Sequence, residues 1–182
     1  MSSAIDSRQR FETIVDEVFD PLQRYIRRRI DADRAEDVLA DVLMTAWRRL
    51  EDAPSDHVLP WCYGIARRTL ANARRGQRRH LRLVQRLQAE PKPESVLDPA
   101  EAGPDSDLSE ALDSLSDDDR EILRLWAWEQ LEPREIAPVL DISVNAATLR
   151  LSRARSRLAD QLPRQDEAVS GHETVEGTRE QP

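Results

Sequence analysis

An arginine-rich stretch, residues 60–79, constrains the fold of this chain more than any other segment. It reads PWCYGIARRTLANARRGQRR, and as a helix turning about 100° per residue it separates into two faces. The apolar arc holds Trp61, Ile65, Ala66, Thr69, Leu70 and Ala73, whereas Arg67, Arg74 and Arg78 lie opposite, with Arg68, Arg75 and Arg82 beside them. Residues 60–89 carry a charge of +8 in a protein of net charge −8. This pattern indicates a surface for a phosphate backbone, with a solvated face or a membrane-surface helix as alternatives.

The composition predicts a soluble, mainly helical protein. Charged residues make up 34% of the chain, aromatic residues 4%, and only five glycines occur. No apolar run approaches the ~20 residues of a membrane span, and the first residues lack a signal-peptide core, so we expect a cytoplasmic protein. The single cysteine, Cys62, excludes an internal disulfide and lies on an apolar face, which predicts a buried thiol. The three histidines do not have the spacing of metal ligands, so we predict neither a metal nor a cofactor.

An acidic, proline-rich segment divides the chain. Residues 90–119 carry a charge of −10, and four prolines fall between residues 91 and 104. So many prolines cannot continue a regular helix, and the segment has little apolar surface to bury. We therefore predict a linker over residues 90–107. The polar, aperiodic residues 163–182 are predicted to be a disordered tail.

Two helices are predicted before the arginine-rich stretch. The first spans Phe11–Ile30, and Pro21 marks either a kink or a break into two shorter helices. The second spans Arg34–Leu50, with Leu39, Val42, Leu43, Ala46 and Leu50 on its buried stripe. Its opposite face carries Asp37, Asp41 and Arg48, with Met44 between them. That face suits a basic partner, although an ordinary solvated face is the alternative.

The second half has the proportions of a helix-turn-helix. Leu112, Leu115, Ile122, Leu123 and Leu125 supply an apolar pattern, and Ser116 is placed to cap a helix. This pattern is followed by a first helix over Glu132–Leu140, a turn at 141–143 and a second helix over Val144–Leu158 that Ser143 caps. On the second helix Val144, Ala147, Leu151, Ala154 and Leu158 are predicted to face inward, and Thr148, Leu149, Ser152 and Arg153 outward.

Both halves resemble regions of one protein family. The sequence AEDVLADVLMTAWRRL followed by PWCYGIARRTLANARR resembles region two of bacterial sigma factors. The later sequence EPREIAPVLDISVNAATLRLSRARSRL resembles sigma region four. Because the linker leaves no room for an intervening domain, the chain resembles the extracytoplasmic-function group of the sigma-70 family. The resemblance spans residues 11–162 and implies an all-α fold with region two at 1–89 and region four at 108–162.

The resemblance implies a sigma factor that binds core RNA polymerase and directs promoter-specific initiation in a stress or signal response, with no enzymatic activity. The polymerase contacts would be the clamp helices of the largest subunit and the flap of the second largest. An anti-sigma factor is a further partner, and no membrane insertion is implied. The implied core-binding residues are Asp37, Asp41, Met44 and Arg48; the −10 residues are Asp56, His57, Trp61, Arg67, Arg68, Arg74, Arg75 and Arg78; and the −35 residues are Thr148, Leu149, Arg150, Ser152, Arg153 and Arg155.

Some positions depart from the family pattern. Arg68 and Asn72 stand where relatives often carry asparagine and aspartate, and Thr148 replaces a common cationic residue. Asp141 replaces the usual turn glycine, a change that aspartate tolerates because it enters the left-handed region more readily than most residues. Three other classes are the alternatives: a helix-turn-helix regulator that does not bind core polymerase, an enzyme, and a non-specific RNA-binding protein. No phosphate loop or nucleophile motif supports an enzyme.

Overall fold

The computed structural model describes residues 2–87 and 106–162, and every regular element within those ranges is helical. The helices are α1 (Ser2–Arg27), α2 (Ala32–Arg48), α3 (Val58–Leu87), α4 (Ser106–Ser114), α5 (Asp117–Ala127), α6 (Pro133–Leu140) and α7 (Val144–Gln161), with a 3-10 turn at Leu50–Asp52. The predicted all-α fold is therefore confirmed. Among these helices, none combines the length and apolar character that a membrane crossing requires.

Helix α1 continues through Pro21 without a break. The predicted helix began at Phe11, whereas α1 begins at Ser2 and ends at Arg27. Val18 and Leu22, on either side of the proline, are fully buried. Burial of two such side chains stabilises by about 1.5–3 kcal/mol each, which offsets the roughly 3 kcal/mol that an interior proline costs.

Helices α2 and α3 complete a three-helix bundle with α1. The predicted stripe of α2 is confirmed, since Leu39, Val42 and Ala46 are buried, although Leu50 belongs to the 3-10 turn that follows. Helix α3 starts two residues before Pro60 and extends to Leu87, beyond the predicted stretch. Proline is tolerated there because the first helical turn leaves its N–H groups unpaired in any case.

The second half folds as its capping residues predict. The Ser116 hydroxyl accepts a hydrogen bond from the Asp119 N–H, and the Ser143 hydroxyl accepts one from the Ala146 N–H, both at 3.2 Å. Asp141 ends α6 in the left-handed region with a φ of 59°, as expected at the turn. Helices α6 and α7 therefore form the predicted helix-turn-helix.

The predicted inward position of Val144 is wrong. Val144 is 49% exposed, whereas Ala147, Leu151 and Ala154 on the same helix are buried. Val144 is the first residue of α7, and side chains in a helix lean toward its N-terminus. The Val144 side chain therefore points past the end of the α5–α7 contact instead of into it.

The two halves share one hydrophobic core. The buried cluster runs from Ile14 in α1 to Ala154 in α7, and α3 packs against α6. One point of this contact is Gly64, where a Cβ atom would lie 3.6 Å from the Pro138 carbonyl oxygen and 3.8 Å from the Val139 Cα. Helix α6 therefore lies directly on the helix that carries the arginine stripe.

The predicted linker and tail fall largely outside the described residues. Residues 88–105 and 163–182 lie outside the described ranges, and the last two residues of the predicted linker, Ser106 and Asp107, belong to α4. The domain boundaries at 89 and 108 therefore stay predictions.

Candidate polymerase-docking and nucleic-acid surfaces

The structure brings the four predicted core-binding residues onto one exposed face of α2. Asp37, Asp41, Met44 and Arg48 are all exposed, and Met44 retains 48% of its accessible surface. The Arg48 guanidinium donates to the Met44 Sδ at 3.1 Å. Neither aspartate forms an ion pair with any residue in the part of the chain that the structure describes. The result is an acidic surface with a thioether at its centre.

An aromatic neighbour of this face was missed from the sequence. Trp47 is 44% exposed and meets Phe11 of α1 edge to face, with ring centroids 5.1 Å apart. Together with Val15 they line a shallow groove between α1 and α2. The signal was available, because Trp47 lies one turn beyond Leu43 at the edge of the buried stripe, where a large ring can reach a neighbouring helix. The α2 face therefore continues into an apolar groove.

The predicted −10 residues lie at the start of α3 and along it. Asp56 and His57 are exposed in the preceding loop, and His57 has a φ of 61°, which is uncommon for a non-glycine residue. The His57 Nδ1 lies 3.3 Å from the Glu135 carboxylate of α6. Trp61 is half-buried against the core.

The arginines of α3 differ in their surroundings. Arg68 lies 3.8 Å from the Asp141 carboxylate, and Arg75 donates to the Asn72 amide oxygen at 2.6 Å. Arg74 donates to the backbone carbonyl of Arg29 at 2.7 Å, so part of its guanidinium already serves packing. The remaining members of the predicted set are the half-buried Arg67 and the exposed Arg78.

The predicted −35 residues share the outer face of α7. Thr148, Ser152 and Arg153 are exposed, and Leu149 retains 57% of its surface. The Thr148 hydroxyl donates to the Val144 carbonyl within the helix. A row of polar side chains around one exposed leucine is what a helix entering the major groove presents to base edges.

Helix α5 holds the flanks of α7. Arg150 pairs with Asp118 at 3.6 Å, and the Arg155 guanidinium lies 4.6 Å from the centroid of the Trp126 ring. Arg157 forms an ion pair with the buried Asp119. This last pair was missed, because it joins residues 38 positions apart in the chain. These contacts fix the angle at which α7 is presented.

A buried charge cluster joins the two halves, and the sequence did not predict it. The Arg29 side chain is 2% exposed, and its guanidinium lies 3.0 Å from the Glu129 carboxylate and 3.3 Å from that of Glu121. The Tyr25 hydroxyl donates to Glu121 at 3.1 Å, and the Tyr25 ring stacks on Tyr63 with centroids 4.7 Å apart. We call Arg29, Glu121 and Glu129 the latch.

The latch changes the titration of its neighbours. Burial, followed by the Glu121 charge, raises the pKa of Tyr25 well above its usual value. Burial, followed by the Glu129 charge, likewise raises the pKa of Tyr63. Burial lowers the pKa of Arg29, but Tyr25, Glu121 and Glu129 outweigh this effect, and the pKa is raised overall. Both tyrosines therefore stay neutral and Arg29 charged over the physiological range.

Comparison with known proteins agrees with this geometry. A bundle with an acidic face and an arginine-rich helix, followed by a helix-turn-helix, defines a helical DNA-binding transcription protein. The family model for sigma-70 region 2 matches residues 14–80, and that for sigma-70 region 4 matches residues 106–158. Together the two models match about two thirds of the chain, and the chain belongs to the sigma-70 family. Its arrangement of region 2 and region 4 is that of the extracytoplasmic-function group, as the sequence predicts.

A curated relative is described as "Probable RNA polymerase sigma factor RfaY" of Xanthomonas campestris pv. campestris. It is 27% identical over 139 residues, which cover 72% of this chain. The match spans only 35% of the length of that relative.

Two solved structures are similar. The sigma factor RpoE of Bartonella quintana, in complex with the anti-sigma factor NepR, is 25% identical, with a TM-score of 0.57 over 83% of this chain and 95% of that one. The structure of CnrH in complex with the cytosolic domain of CnrY is 23% identical, with a TM-score of 0.56 over 86% of this chain and 94% of that one. At 23% identity, the similarity to CnrH supports only the fold of this chain.

Proposed function

We propose that this protein is a sigma factor that binds core RNA polymerase and directs promoter-specific transcription initiation in a stress or signal response. The observation that carries the proposal is that one chain presents both an exposed acidic α2 face and a helix-turn-helix with an exposed outer face. Both belong to the matched sigma-70 regions. A DNA-binding regulator without polymerase contacts leaves the α2 face without a role. No catalytic activity is proposed, and the protein acts in the cytoplasm, where polymerase and promoter meet.

Core polymerase binds the α2 face in this proposal. Asp37 and Asp41 have no internal ion-pair partner among the described residues, so both carboxylates are available to a basic surface without breaking an intramolecular contact. Met44 supplies a flexible, polarizable contact at the centre, and Arg48 borders it. The corresponding partner is the clamp-helix pair of the largest polymerase subunit.

The start of α3 and the preceding loop bind the −10 element. Capturing an unstacked base requires an aromatic or planar surface beside cationic groups that hold the backbone. His57 and Trp61 supply the rings, Asp56 supplies a polar group beside them, and Arg67 and Arg68 follow within two turns. Arg74, Arg75 and Arg78 continue the cationic surface toward the duplex.

The outer face of α7 reads the −35 element. Thr148, Leu149, Ser152 and Arg153 meet base edges, and Arg153 is the side chain able to donate two hydrogen bonds to a guanine. Arg150 and Arg155, held by Asp118 and Trp126, lie toward the phosphates. The flap of the second-largest polymerase subunit would hold this half at the correct distance from the first.

An anti-sigma factor is a further proposed partner. The similar RpoE structure holds one, the anti-sigma factor NepR, while matching this chain over 83% of its length. A protein that occupies the same sigma regions would compete with polymerase for this chain.

In vitro transcription tests the proposed function. Core polymerase with this chain should initiate on a genomic fragment library at sites that share −10 and −35 sequences, whereas core alone should not. A pull-down without DNA should recover core polymerase with the chain. If no core polymerase is recovered while the chain binds DNA specifically, the protein is a helix-turn-helix regulator and the proposal is wrong.

A further inference from the structure

Leu149 stands at the centre of the exposed face of α7. It retains 57% of its surface, whereas Ala147, Leu151 and Ala154 on the same helix are buried. At about 100° per residue, Leu149 points roughly 140–160° away from these three side chains. A single exposed leucine is ordinary on a protein surface. A leucine opposite the packed stripe of the second helix of a helix-turn-helix, however, lies where base edges are contacted.

Asn145 and Arg153 lie in one row with Leu149. The three residues are four positions apart and all are exposed, so they follow one another along the outer face at intervals of about 6 Å. The Asn145 side chain makes no hydrogen bond within residues 2–87 and 106–162. We call Asn145, Leu149 and Arg153 the central row. It spans about 12 Å, the length of three to four base pairs of about 3.4 Å each.

Arginines flank the central row on both sides. Around the helix, Arg150 lies about 100° from Leu149 and Arg155 about 120° from it in the other direction. Arg150 pairs with Asp118 at 3.6 Å, and the Arg155 guanidinium lies 4.6 Å from the centroid of the Trp126 ring, so α5 holds both beside the row. A helix in the major groove has one phosphate backbone on each side of it. The two cations match these backbones and leave the central row for the bases.

Thr148 adds a methyl group beside Leu149. Its hydroxyl donates to the Val144 carbonyl at 3.0 Å, so the hydroxyl proton is already used within the helix. Val144 is itself 49% exposed. The first turns of α7 therefore offer apolar carbon to DNA. In the major groove, the apolar group of a base pair is the 5-methyl group of thymine.

We propose that Leu149 is a specificity-determining residue that packs against the 5-methyl group of a thymine in the −35 element. Its neighbours in the central row read the adjoining bases: Asn145 pairs with an adenine through N6 and N7, and Arg153 with a guanine through O6 and N7. The site then has A·T pairs toward the start of α7 and a G·C pair toward its end. The inference rests on the proposed function, because it names the bases that the same α7 face reads.

Selection with the complete holoenzyme identifies the −35 element first. Core polymerase and the full chain are mixed with a duplex library randomised over the −35 region, and the enriched sequences are read. We expect an A·T pair within about three base pairs of a G·C pair, since Leu149 and Arg153 are about 6 Å apart along the helix. An enriched element without an A·T pair overturns the inference.

Deoxyuridine then removes the methyl group alone. Uracil keeps the hydrogen-bonding groups of thymine and lacks only the 5-methyl group. Each thymine of the selected element is replaced in turn, and holoenzyme affinity is measured by fluorescence anisotropy. Burial of one such group corresponds to about a fourfold change in affinity, so at one thymine the replacement should weaken binding about fourfold. A parent that binds every deoxyuridine duplex as tightly as the original contradicts the proposal.

Leu149→Ala tests whether this side chain is the partner of the methyl group. The variant should bind the thymine and deoxyuridine duplexes alike, so the fourfold difference disappears. Leu108→Ala is the matched control, because Leu108 is an exposed leucine of α4 that retains 40% of its surface. The control should keep the full difference. A folded Leu149→Ala holoenzyme that still distinguishes thymine from deoxyuridine fourfold assigns the methyl contact to another residue and overturns the inference.

Asn145→Ala tests the order of the central row. The analogue 7-deazaadenine lacks the N7 acceptor, and at one adenine it should weaken binding of the parent by about fivefold or more. Asn145→Ala should bind both forms of that duplex alike. Alanine is the stronger helix former, so α7 should stay intact. Unchanged sensitivity to 7-deazaadenine in Asn145→Ala contradicts the order assigned to the row.

The two proposals fail differently. A chain that does not bind core polymerase contradicts the proposed function; the selection and the deoxyuridine comparison are then run with the free chain, where the same fourfold difference is expected. A holoenzyme that initiates at shared −35 sequences without any thymine-methyl preference contradicts only the role of Leu149.

Discussion

The exposed faces of α2 and α3 lie in the same three-helix bundle but differ in what already occupies them. On α2, Asp37 and Asp41 contact no cationic side chain among the described residues. In the loop before α3 and on α3 itself, His57, Arg68 and Arg74 each contact a carboxylate or a carbonyl. The surface proposed for polymerase is open, and the surface proposed for DNA is partly filled by the chain itself.

This difference implies that the two surfaces respond differently to a partner. A partner can bind Asp37 and Asp41 without breaking an ion pair among the described residues, so we expect polymerase binding to be a rigid encounter steered by charge. A strand that binds His57 or Arg68 must first displace the Glu135 or Asp141 carboxylate from that side chain. Docking on α2 therefore leaves the ion pairs of the folded chain intact, whereas strand binding on α3 breaks some of them.

Reversing the charge of the open face should have the largest effect. Asp37→Arg combined with Asp41→Arg should weaken core binding by at least about 100-fold, because two carboxylates of a desolvated interface become repulsive. Both residues lie off the buried stripe, so helical content should stay unchanged. Affinity for labelled core polymerase measures the effect. Asp6→Arg with Asp20→Arg, two exposed positions on α1, is the matched control. Parental affinity in the folded double variant removes Asp37 and Asp41 from the docking face.

A disulfide across the covered face should separate docking from initiation. Gly64→Cys with Val139→Cys places two thiols where a Cβ at position 64 lies 3.8 Å from the Val139 Cα, within bridging reach. The oxidised protein should still bind core through α2, whereas transcription should fall at least about tenfold and return on reduction. Gly64→Cys alone is the control. Full transcription by a chain shown to be oxidised means that initiation does not require α6 to leave α3.

The sequence was informative where local chemistry decides the outcome. The caps at Ser116 and Ser143, the left-handed Asp141 and the exposed face around Met44 all follow from spacing and residue type within one or two turns. The sequence left open whether Pro21 breaks α1; the helix continues because the proline costs less than the burial of its neighbours contributes.

The covered face could not be predicted, because its contacts join residues far apart in the chain. Arg29 and Glu121 are 92 positions apart, and Arg29 and Glu129 are 100 positions apart. Arg29 stands next to two other arginines with nothing to distinguish it before the halves are packed. Gly64 likewise interrupts an amphipathic pattern without showing that another helix crosses there. The assignment of individual side chains to polymerase and DNA stays a prediction.

Alkaline titration should sharpen the difference between the covered face and its opened form. The chain contains two tyrosines, Tyr25 and Tyr63, and both lie at the junction. Burial raises the pKa of both tyrosines, and the charge of Glu121 raises that of Tyr25 further, as Glu129 does for Tyr63. The positive charge of Arg29 opposes this rise at both tyrosines, and Arg24 and Arg28 also oppose it at Tyr63. Phenolate absorbance at 295 nm should therefore stay low at about pH 11 in the parent, above the usual pKa of about 10. Gly64→Gln, whose long side chain would disrupt the α3–α6 contact, should shift the midpoint of the phenolate titration toward about pH 10.

The same groups give stability a defined pH dependence. The unfolded chain releases tyrosine protons near pH 10 while the folded chain keeps them, so the free energy of unfolding falls as pH rises above about 10. Cys62 acts in the same direction, because burial, followed by the Glu17 charge, raises the pKa of its thiol to about 12. Gly76→Gln is the control, because a Cβ at that position has no neighbour within 4 Å. It should match the parent in the phenolate titration and in the pH dependence of stability. Overlapping phenolate curves for Gly64→Gln and the parent mean that α6 does not keep these tyrosines buried.

Two single arginine substitutions, each removing one DNA contact, should distinguish base reading from backbone binding. Arg153 lies on the exposed face of α7, and loss of a base contact there should cost about 1–3 kcal/mol on the preferred −35 sequence and little on others. Arg78 lies far along α3, exposed and beyond the contact with α6. Arg78→Ala should weaken all sequences alike and reduce the slope of log K against log salt by about one.

Arg78 tests the covered face as well as the DNA contact. Arg74 is less suitable, because its bond to the Arg29 carbonyl mixes packing with binding. Because the α6 contacts lie at His57, Gly64 and Arg68, Arg78→Ala should lose the same fraction of DNA affinity in the parent and in Gly64→Gln. Arg68→Ala should lose less in the free chain, where Asp141 already occupies that guanidinium, than in the opened variant. Fluorescence anisotropy at several salt concentrations measures the DNA affinity of both substitutions in both backgrounds. Equal losses for Arg68→Ala in both backgrounds mean that the α6 carboxylates do not compete with DNA.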